Sequence, residues 1–423
     1  MAGRLRLGTL GTQDMHITDS PTYSHFSGIF KKPTNFAFDV REQPLLEPKF
    51  GQETMCIIPV DMGDLLTNLT LRYQFFFRAP PGTEIPGDDP FAPNVGIHAI
   101  EYADLFIGGM HIERLTGDWI YMYHKYHTSD YNFRDSVIPL TTAKEQPYGL
   151  SDEGVLNMRQ MYIDLPFYFH NNLPASILLC KLKKQNCYIR IKFKSLDKIL
   201  RPNLNENNVQ VGIKTASLLT TYSYLDESEL NYLKFSSVDQ LITQMQLKRH
   251  DIKRNGSGEN EFVLGFRHPV KTLYFVAGKK SRRFSLNQTT DIIQYMLNTK
   301  FRRLGITLNN TTLFNESFSK LVYENSLKNA LSGIDGDVSF IDGASYQLPT
   351  FDRLGSYSFA LYPMKNEPSG HLNFSRIIDQ KCQITLDYTD IYSAEEDDVT
   401  EVQIYAKSYN ILHYSSGLCG LKY

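Results

Sequence analysis

His124 and His127 stand three residues apart, a spacing that turns two imidazoles to one helix face and could begin a metal site. Such a site needs a helix there and at least one more ligand from elsewhere in the fold, so no metal is assigned. Asp61 and Asp64, or the run Glu395, Glu396, Asp397, Asp398, carry enough charge for calcium, but the Asp-x-Asp-x-Asp-Gly loop spacing is absent. Solvated loop charge accounts for them. There is no GxSxG elbow, Walker loop or GxGxxG, and Ser415-Ser416-Gly417 reads as a tail rather than a nucleophile turn. His268 before Pro269 has the residue type of a general base, yet a lone histidine in a strand-like run reads as a hydrogen-bonded structural residue. Arg376 offers a fork-shaped donor that could meet a ligand, and its expected role is to tie its own loop to a sheet. Lys279, Lys280, Arg282 and Arg283 form a basic cluster that suits an exposed hairpin loop as well as lipid headgroups, protein or nucleic acid. The residues therefore predict no catalytic group, metal or cofactor.

The elements that would have to position any site read as strands. Leu69, Leu71, Tyr73 and Phe75 alternate with Thr70, Arg72 and Gln74, which puts one face in a core. The same period recurs at Ile189, Ile191 and Phe193, at Cys382, Ile384, Leu386 and Tyr388, and at Val402, Ile404 and Ala406. With 26 Phe and 26 Tyr among 423 residues, the chain is rich in rings that suit pleated, half-buried surfaces. Turn-rich stretches separate the strands: residues 79–96 with five prolines, 203–208, and 254–260 around Asn255-Gly256. Helical spacing is sparse: Phe318, Leu321 and Val322 with Gly333 as a stop, and a short segment over 226–235, where Asp226 or Ser228 caps and Leu230 and Leu233 share a face. The second helix falls between two sets of strands, which predicts two all-β sandwiches or barrels of similar size.

Composition narrows the class further. Forty-four basic against 46 acidic residues leave no global field for nucleic acid or an anionic membrane. Five scattered cysteines without a CxxC pair read as reduced core thiols. No signal peptide or membrane-spanning run is expected, and the Asn-x-Ser/Thr sequons, such as those at Asn68, Asn309 and Asn373, read as coincidences of composition.

Several segments stand in a fixed order along the chain. Pro33-Thr34-Asn35-Phe36 precedes Ile58-Pro59-Val60-Asp61-Met62-Gly63-Asp64-Leu65. Ile107-Gly108-Gly109, Ile112-Glu113-Arg114 and Gly117-Asp118-Trp119 follow, then Leu165-Pro166-Phe167-Tyr168-Phe169 and Leu173-Pro174-Ala175. The second half carries His268-Pro269-Val270-Lys271, Tyr357-Ser358-Phe359-Ala360-Leu361, Pro368-Ser369-Gly370 and Asn373-Phe374-Ser375-Arg376, and closes with residues 405–412 and 416–421. In this order the segments resemble the major capsid proteins of nucleocytoplasmic large DNA viruses. Tyr168 and Tyr274 stand where many relatives have tryptophan, and the loops look short.

That resemblance implies an all-β fold of two consecutive eight-stranded jelly rolls (a double jelly roll) with a few short helices in loops. Its boundaries would be an N-terminal arm over 1–24, a first roll over 25–224, a linker with a short helix over 225–237, and a second roll with its tail over 238–423. It implies a non-enzymatic homotrimer forming pseudo-hexagonal capsomers that meet neighbouring capsomers, minor capsid and penton proteins and an internal membrane, without direct nucleic-acid binding. Assembly would take place in the cytoplasm of the infected cell. The hallmark residues then read as architecture: Gly108 and Gly109 at a strand corner with positive φ, Trp119 in the first core, Pro166 and Phe167 opening a strand, and His268 with Pro269 in the second roll. Pro368 and Gly370 punctuate a turn, and Asn373 with Arg376 bind loop backbone. Two other functions suit a jelly roll: a carbohydrate-binding or virion attachment protein, which needs exposed rings on a concave face, and a transient scaffold of the poxvirus kind.

Overall fold

The structure, a computed structural model, describes residues 20–21, 26, 32–78, 95–127, 155–157, 160–199, 210–253, 260–279, 300–321, 354–387 and 399–423. The prolines of 79–94, the 203–208 and 254–259 turns, Lys280, Arg282, Arg283, Val322, Gly333, Tyr388 and the acidic run at 395–398 lie outside them, as does the side chain of Lys279. Contacts divide the chain into Met1–Phe36 and Ala37–Tyr423.

The first half supplies β1 (Phe36–Pro44), β2 (Glu53–Ile58), β3 (Leu65–Arg78), β4 (Ile100–Ile107), β5 (Met110–Thr116), β6 (Val155–Asn157), β7 (Met161–Asp164), β8 (Cys187–Phe193) and β9 (Gln210–Leu225). Two helices lie among them, α1 (Val95–His98) and α2 (Gly117–His127), and α3 (Glu227–Phe235) follows β9. The second half supplies β10 (Val238–Lys253), β11 (Asn260–Val263), β12 (Pro269–Lys279), β13 (Lys300–Leu308), β14 (Thr311–Ser317), β15 (Leu354–Ser358), β16 (Leu372–Asn373), β17 (Gln380–Asp387), β18 (Val399–Ser415) and β19 (Leu418–Leu421). A one-turn helix α4 (Phe318–Leu321) follows β14.

In the first half the sheets run β1-β9-β3-β6, with β7 also on β3, and β2-β8-β4-β5. In the second half they run β10-β18-β12-β15, with β16 also on β12, and β11-β17-β13-β14. If β6 with β7, and β15 with β16, each count as one interrupted strand, the described residues of both halves form eight strands in the same order, with β19 added at the end. The first, eighth, third and sixth form one sheet, and the second, seventh, fourth and fifth form the other. This is the jelly-roll connection, and it occurs twice. Even the turns repeat. Between β4 and β5, Gly108 and Gly109 have φ of 60° and 83°; between β13 and β14, Asn309 and Asn310 have 46° and 62°. Positive φ at both central residues is what a two-residue type I′ hairpin requires. Each turn is tied to the residue just before the neighbouring strand, β8 or β17, by a matching bond. Gly108 N donates to Asn186 O at 2.9 Å, and Asn309 N to Asp379 O at 2.8 Å.

Alternation places the cores. Leu69, Leu71, Tyr73 and Phe75 are fully buried from β3, as are Cys187, Ile189, Ile191 and Phe193 from β8. The second roll closes over Leu273, Phe275, Leu304, Ile306, Ile384 and Ile404. β18 and its neighbour β12 depart from simple alternation, and β12 is buried without a break from Val270 to Ala277. In β18, Gln403 and Tyr405 are buried along with Val402, Ile404 and Ala406, so the period-two pattern there does not mark a wet face. The reason is tertiary. Ile404 and Ala406 belong to the second roll's own core, while Tyr405 and the neighbouring Tyr274 belong to a core shared with the first half. A sheet covered on both faces reads as a continuous buried run.

Candidate functional site

The seam between the halves is built on α2. Thr116 caps this helix, its Oγ1 accepting from Trp119 N at 3.2 Å. The same hydroxyl lies 2.7 Å from Tyr405 OH, which donates to Gln403 Oε1 at 2.8 Å. Gln403 Nε2 in turn donates to Asp118 Oδ2 at 2.9 Å, so four polar side chains close a relay from α2 to β18. Beside it the Trp119 ring meets Tyr274 edge-on at 5.0 Å and Tyr405 at 5.7 Å. Trp119 thus sits where the two halves meet rather than in the first core alone, and its buried Nε1 has no hydrogen-bond partner among the described residues.

Glutamines fasten the rest of the seam. From β10, Gln240 Nε2 donates to Pro174 O and Ser176 O at 3.0 and 2.8 Å, and Gln244 Nε2 donates to Ile112 O at 2.6 Å. At the far end Gln185 Nε2 donates to Cys419 O at 3.3 Å, and Cys419 N donates back to Gln185 Oε1 at 2.6 Å. Ser416 and Gly417, with φ of 54° and 83°, make the turn from β18 to β19. That segment is a hairpin, not a loose tail, because β19 pairs back on β18. It docks on the first half, where Lys184 N donates to Gly417 O at 3.2 Å.

Between these fastenings lies a cavity of about 170 Å³, lined by Glu113, Trp119, Tyr168, Thr243, Asn366 and Lys407 among others. Glu113 Oε2 accepts from Tyr168 N at 3.0 Å, and burial pushes its carboxyl up to about 8. Burial lowers the Lys407 ammonium and brings that of Lys271 down to about 7. Burial also brings His170 down to about 4, while its Nδ1 pairs with Asn68 Oδ1 at 2.7 Å.

The other hallmark residues serve local geometry. Pro166 and Phe167 do not open a strand: after β7 the chain turns, with Phe167 N donating to Leu165 O and His170 N to Phe167 O, both at 2.8 Å. Proline has no N–H for a ladder, and the turn carries Phe167 and Phe169 into the core. His268 lies outside the strand, at φ 64° immediately before Pro269. Its N–H donates to Ser375 Oγ at 2.8 Å and its carbonyl accepts from Phe374 N at 3.1 Å. Asn373 Oδ1 accepts from Ser375 N at 3.0 Å and so closes that turn. Gly370, two residues after Pro368, has φ 135°, and a Cβ there would stand 2.8 Å from Phe359 O. Arg376 does not tie its loop. It is exposed and makes no hydrogen bond or ion pair among the described residues. The loop is held instead by Gln380, whose Nε2 reaches Phe266 O, Phe374 O and Ile377 O at 3.0, 3.0 and 3.1 Å.

His124 is buried on α2 with Nε2 3.3 Å from Asp164 O; the side chain of His127 lies outside the described residues. Among the described residues, no three His, Cys, Asp or Glu side chains are grouped to hold a metal.

Two family models match in succession: the N-terminus of the major capsid protein over residues 24–230, and the large eukaryotic DNA virus major capsid protein over 229–420. The chain belongs to the major capsid protein family of large eukaryotic DNA viruses. This capsid protein is 25% identical to the major capsid protein of Pyramimonas orientalis virus, covering 100% of this chain and 99% of that one. It is 24% identical to that of Paramecium bursaria Chlorella virus 1, with 100% of both chains covered. Among solved structures, the PBCV-1 virus capsid matches with a TM-score of 0.70 at 19% identity, over 95% of this chain and 100% of that one. The Faustovirus major capsid protein matches with a TM-score of 0.64 at 12% identity, over 98% of this chain and 96% of that one. The fold is therefore the double jelly roll, and the protein's place is the virion capsid.

Sequence reasoning missed the seam glutamines, Gln185, Gln240, Gln244 and Gln403. Glutamine on a strand has no distinctive spacing, and only the partner carbonyls give it meaning.

Proposed function

We propose that this capsid protein assembles as a homotrimer whose pseudo-hexagonal capsomers tile an icosahedral shell. The observation that carries this reading is the repeat of one eight-strand order in both halves of the chain. Three copies then present six similar rolls around one axis, and cyclic closure makes the contacts heterologous. The rolls span 25–224 and 238–423, joined by a linker over 225–237 and preceded by an arm over 1–24. The seam's relay and glutamines support a capsomer whose two rolls move as one body. Neighbouring capsomers, minor capsid and penton proteins and an internal membrane are its partners, with assembly in the host cytoplasm and no enzymatic turnover. Exposed Tyr232 and Phe235 on α3, and Leu361 and Ile378 in the second half, offer apolar contact area for such neighbours.

Light scattering on a sizing column tests the reading. Three chains of 48.6 kDa predict a species of about 146 kDa that resists dilution. A stable monomer would overturn it.

A further inference from the structure

The seam cavity has features that the assembly role does not use. Lys407 lines it, and its Nζ forms no hydrogen bond among the described residues. The titratable groups whose charges act on it, or on which it acts, are Glu113 and Lys271. Lys271 sits at the β12 bulge, and its Nζ already donates to Lys365 O. The Glu113 carboxyl in turn is already engaged by the Tyr168 and Met245 N–H groups. Trp119 also lines the cavity, with a buried Nε1–H that lacks a partner among the described residues. An unpaired buried donor such as this indole N–H favours an acceptor-rich occupant, because a donor stripped of water and given no acceptor is destabilising. At about 170 Å³ the cavity exceeds the roughly 30 Å³ that one water occupies, which leaves room for a small ion with its own waters.

We propose that this cavity binds a small oxyanion, carboxylate or phosphate in size, against the Lys407 ammonium and the Trp119 indole N–H. The site lies between two rolls of one chain, so an occupant would brace the seam without contributing to contacts between copies.

Thermal unfolding and calorimetric titration of the full chain with sodium phosphate and with sodium acetate, against sodium chloride at equal ionic strength, test the site. A saturable rise in Tm with acetate alone would identify a carboxylate site, and one with phosphate a phosphate site; either supports the proposal if Lys407→Met abolishes it. Responses that follow ionic strength alone, or that persist in Lys407→Met, overturn it. Should Lys407→Met fail to fold, Trp119→Phe decides. This change keeps a ring and deletes the N–H, so it is expected to weaken anion binding about tenfold, and unchanged affinity overturns the proposal.

Discussion

Gly108 and Gly109 are adjacent, both have positive φ, and their surroundings differ. A Cβ on Gly109 would meet nothing within 4 Å, whereas one on Gly108 would overlap the side-chain amide of Gln185. Gly109→Ala should therefore lose only the backbone contribution, about 1–2 kcal/mol for an L-residue in the left-handed region. Gly108→Ala bears the same loss and also displaces Gln185, which makes two bonds to Cys419 in the C-terminal hairpin. At about 0.5–1.5 kcal/mol each, those bonds raise the expected loss to about 2–5 kcal/mol. Urea denaturation of the wild type, Gly108→Ala, Gln185→Ala and the double variant measures the coupling directly. With Gln185 already shortened, a methyl group at position 108 has nothing to displace. Its cost should then fall to that of Gly109→Ala, a coupling of about 1–3 kcal/mol. Additivity within about 0.5 kcal/mol would refute the placement of Gly108 as the seat of Gln185.

The carboxyl of Glu113, raised by burial to about 8, makes stability depend on pH. From about pH 5 to 7 the folded chain holds a proton that the unfolded chain has released, so stability falls as pH rises, by up to about 1.4 kcal/mol per pH unit. Lys271, lowered to about 7, acts in the opposite direction above that pH. His170, lowered to about 4, opposes the Glu113 effect up to about pH 6.5. The slope of the urea midpoint from pH 5 to 7 should therefore turn more positive in Glu113→Gln than in the wild type, and parallel profiles would refute the protonated carboxyl. Trp119→Ala removes the ring that meets Tyr274 and Tyr405 and should cost about 3–5 kcal/mol in the same assay. A loss below about 1 kcal/mol would mean that the seam does not depend on it.

Strand alternation is a local property, so β3, β8 and β17 were legible residue by residue: period two puts apolar side chains on one face whatever the strand pairs with. The helix over 227–235 was legible for the same reason, through the spacing of Leu230 and Leu233, although the side chain of Asp226 at its N-cap position makes no capping hydrogen bond. Gly108-Gly109 also announced its turn, because glycine is the residue that enters positive φ freely. The matching turn at Asn309-Asn310 carried a weaker signal, since asparagine tolerates the same region but is as much at home in ordinary loops.

Composition and short-range pattern suffice for the all-β character, the division into two sets of strands and the lack of a catalytic motif, because each is a property of neighbours along the chain. The remainder required the folded molecule. Pairing order made both halves the same roll, and the second face of the β18 sheet became interior only because the first half covers it. Trp119, Gln185 and Lys407 acquired their surroundings from residues far away in the chain, and no local spacing encodes a partner that only folding brings within reach.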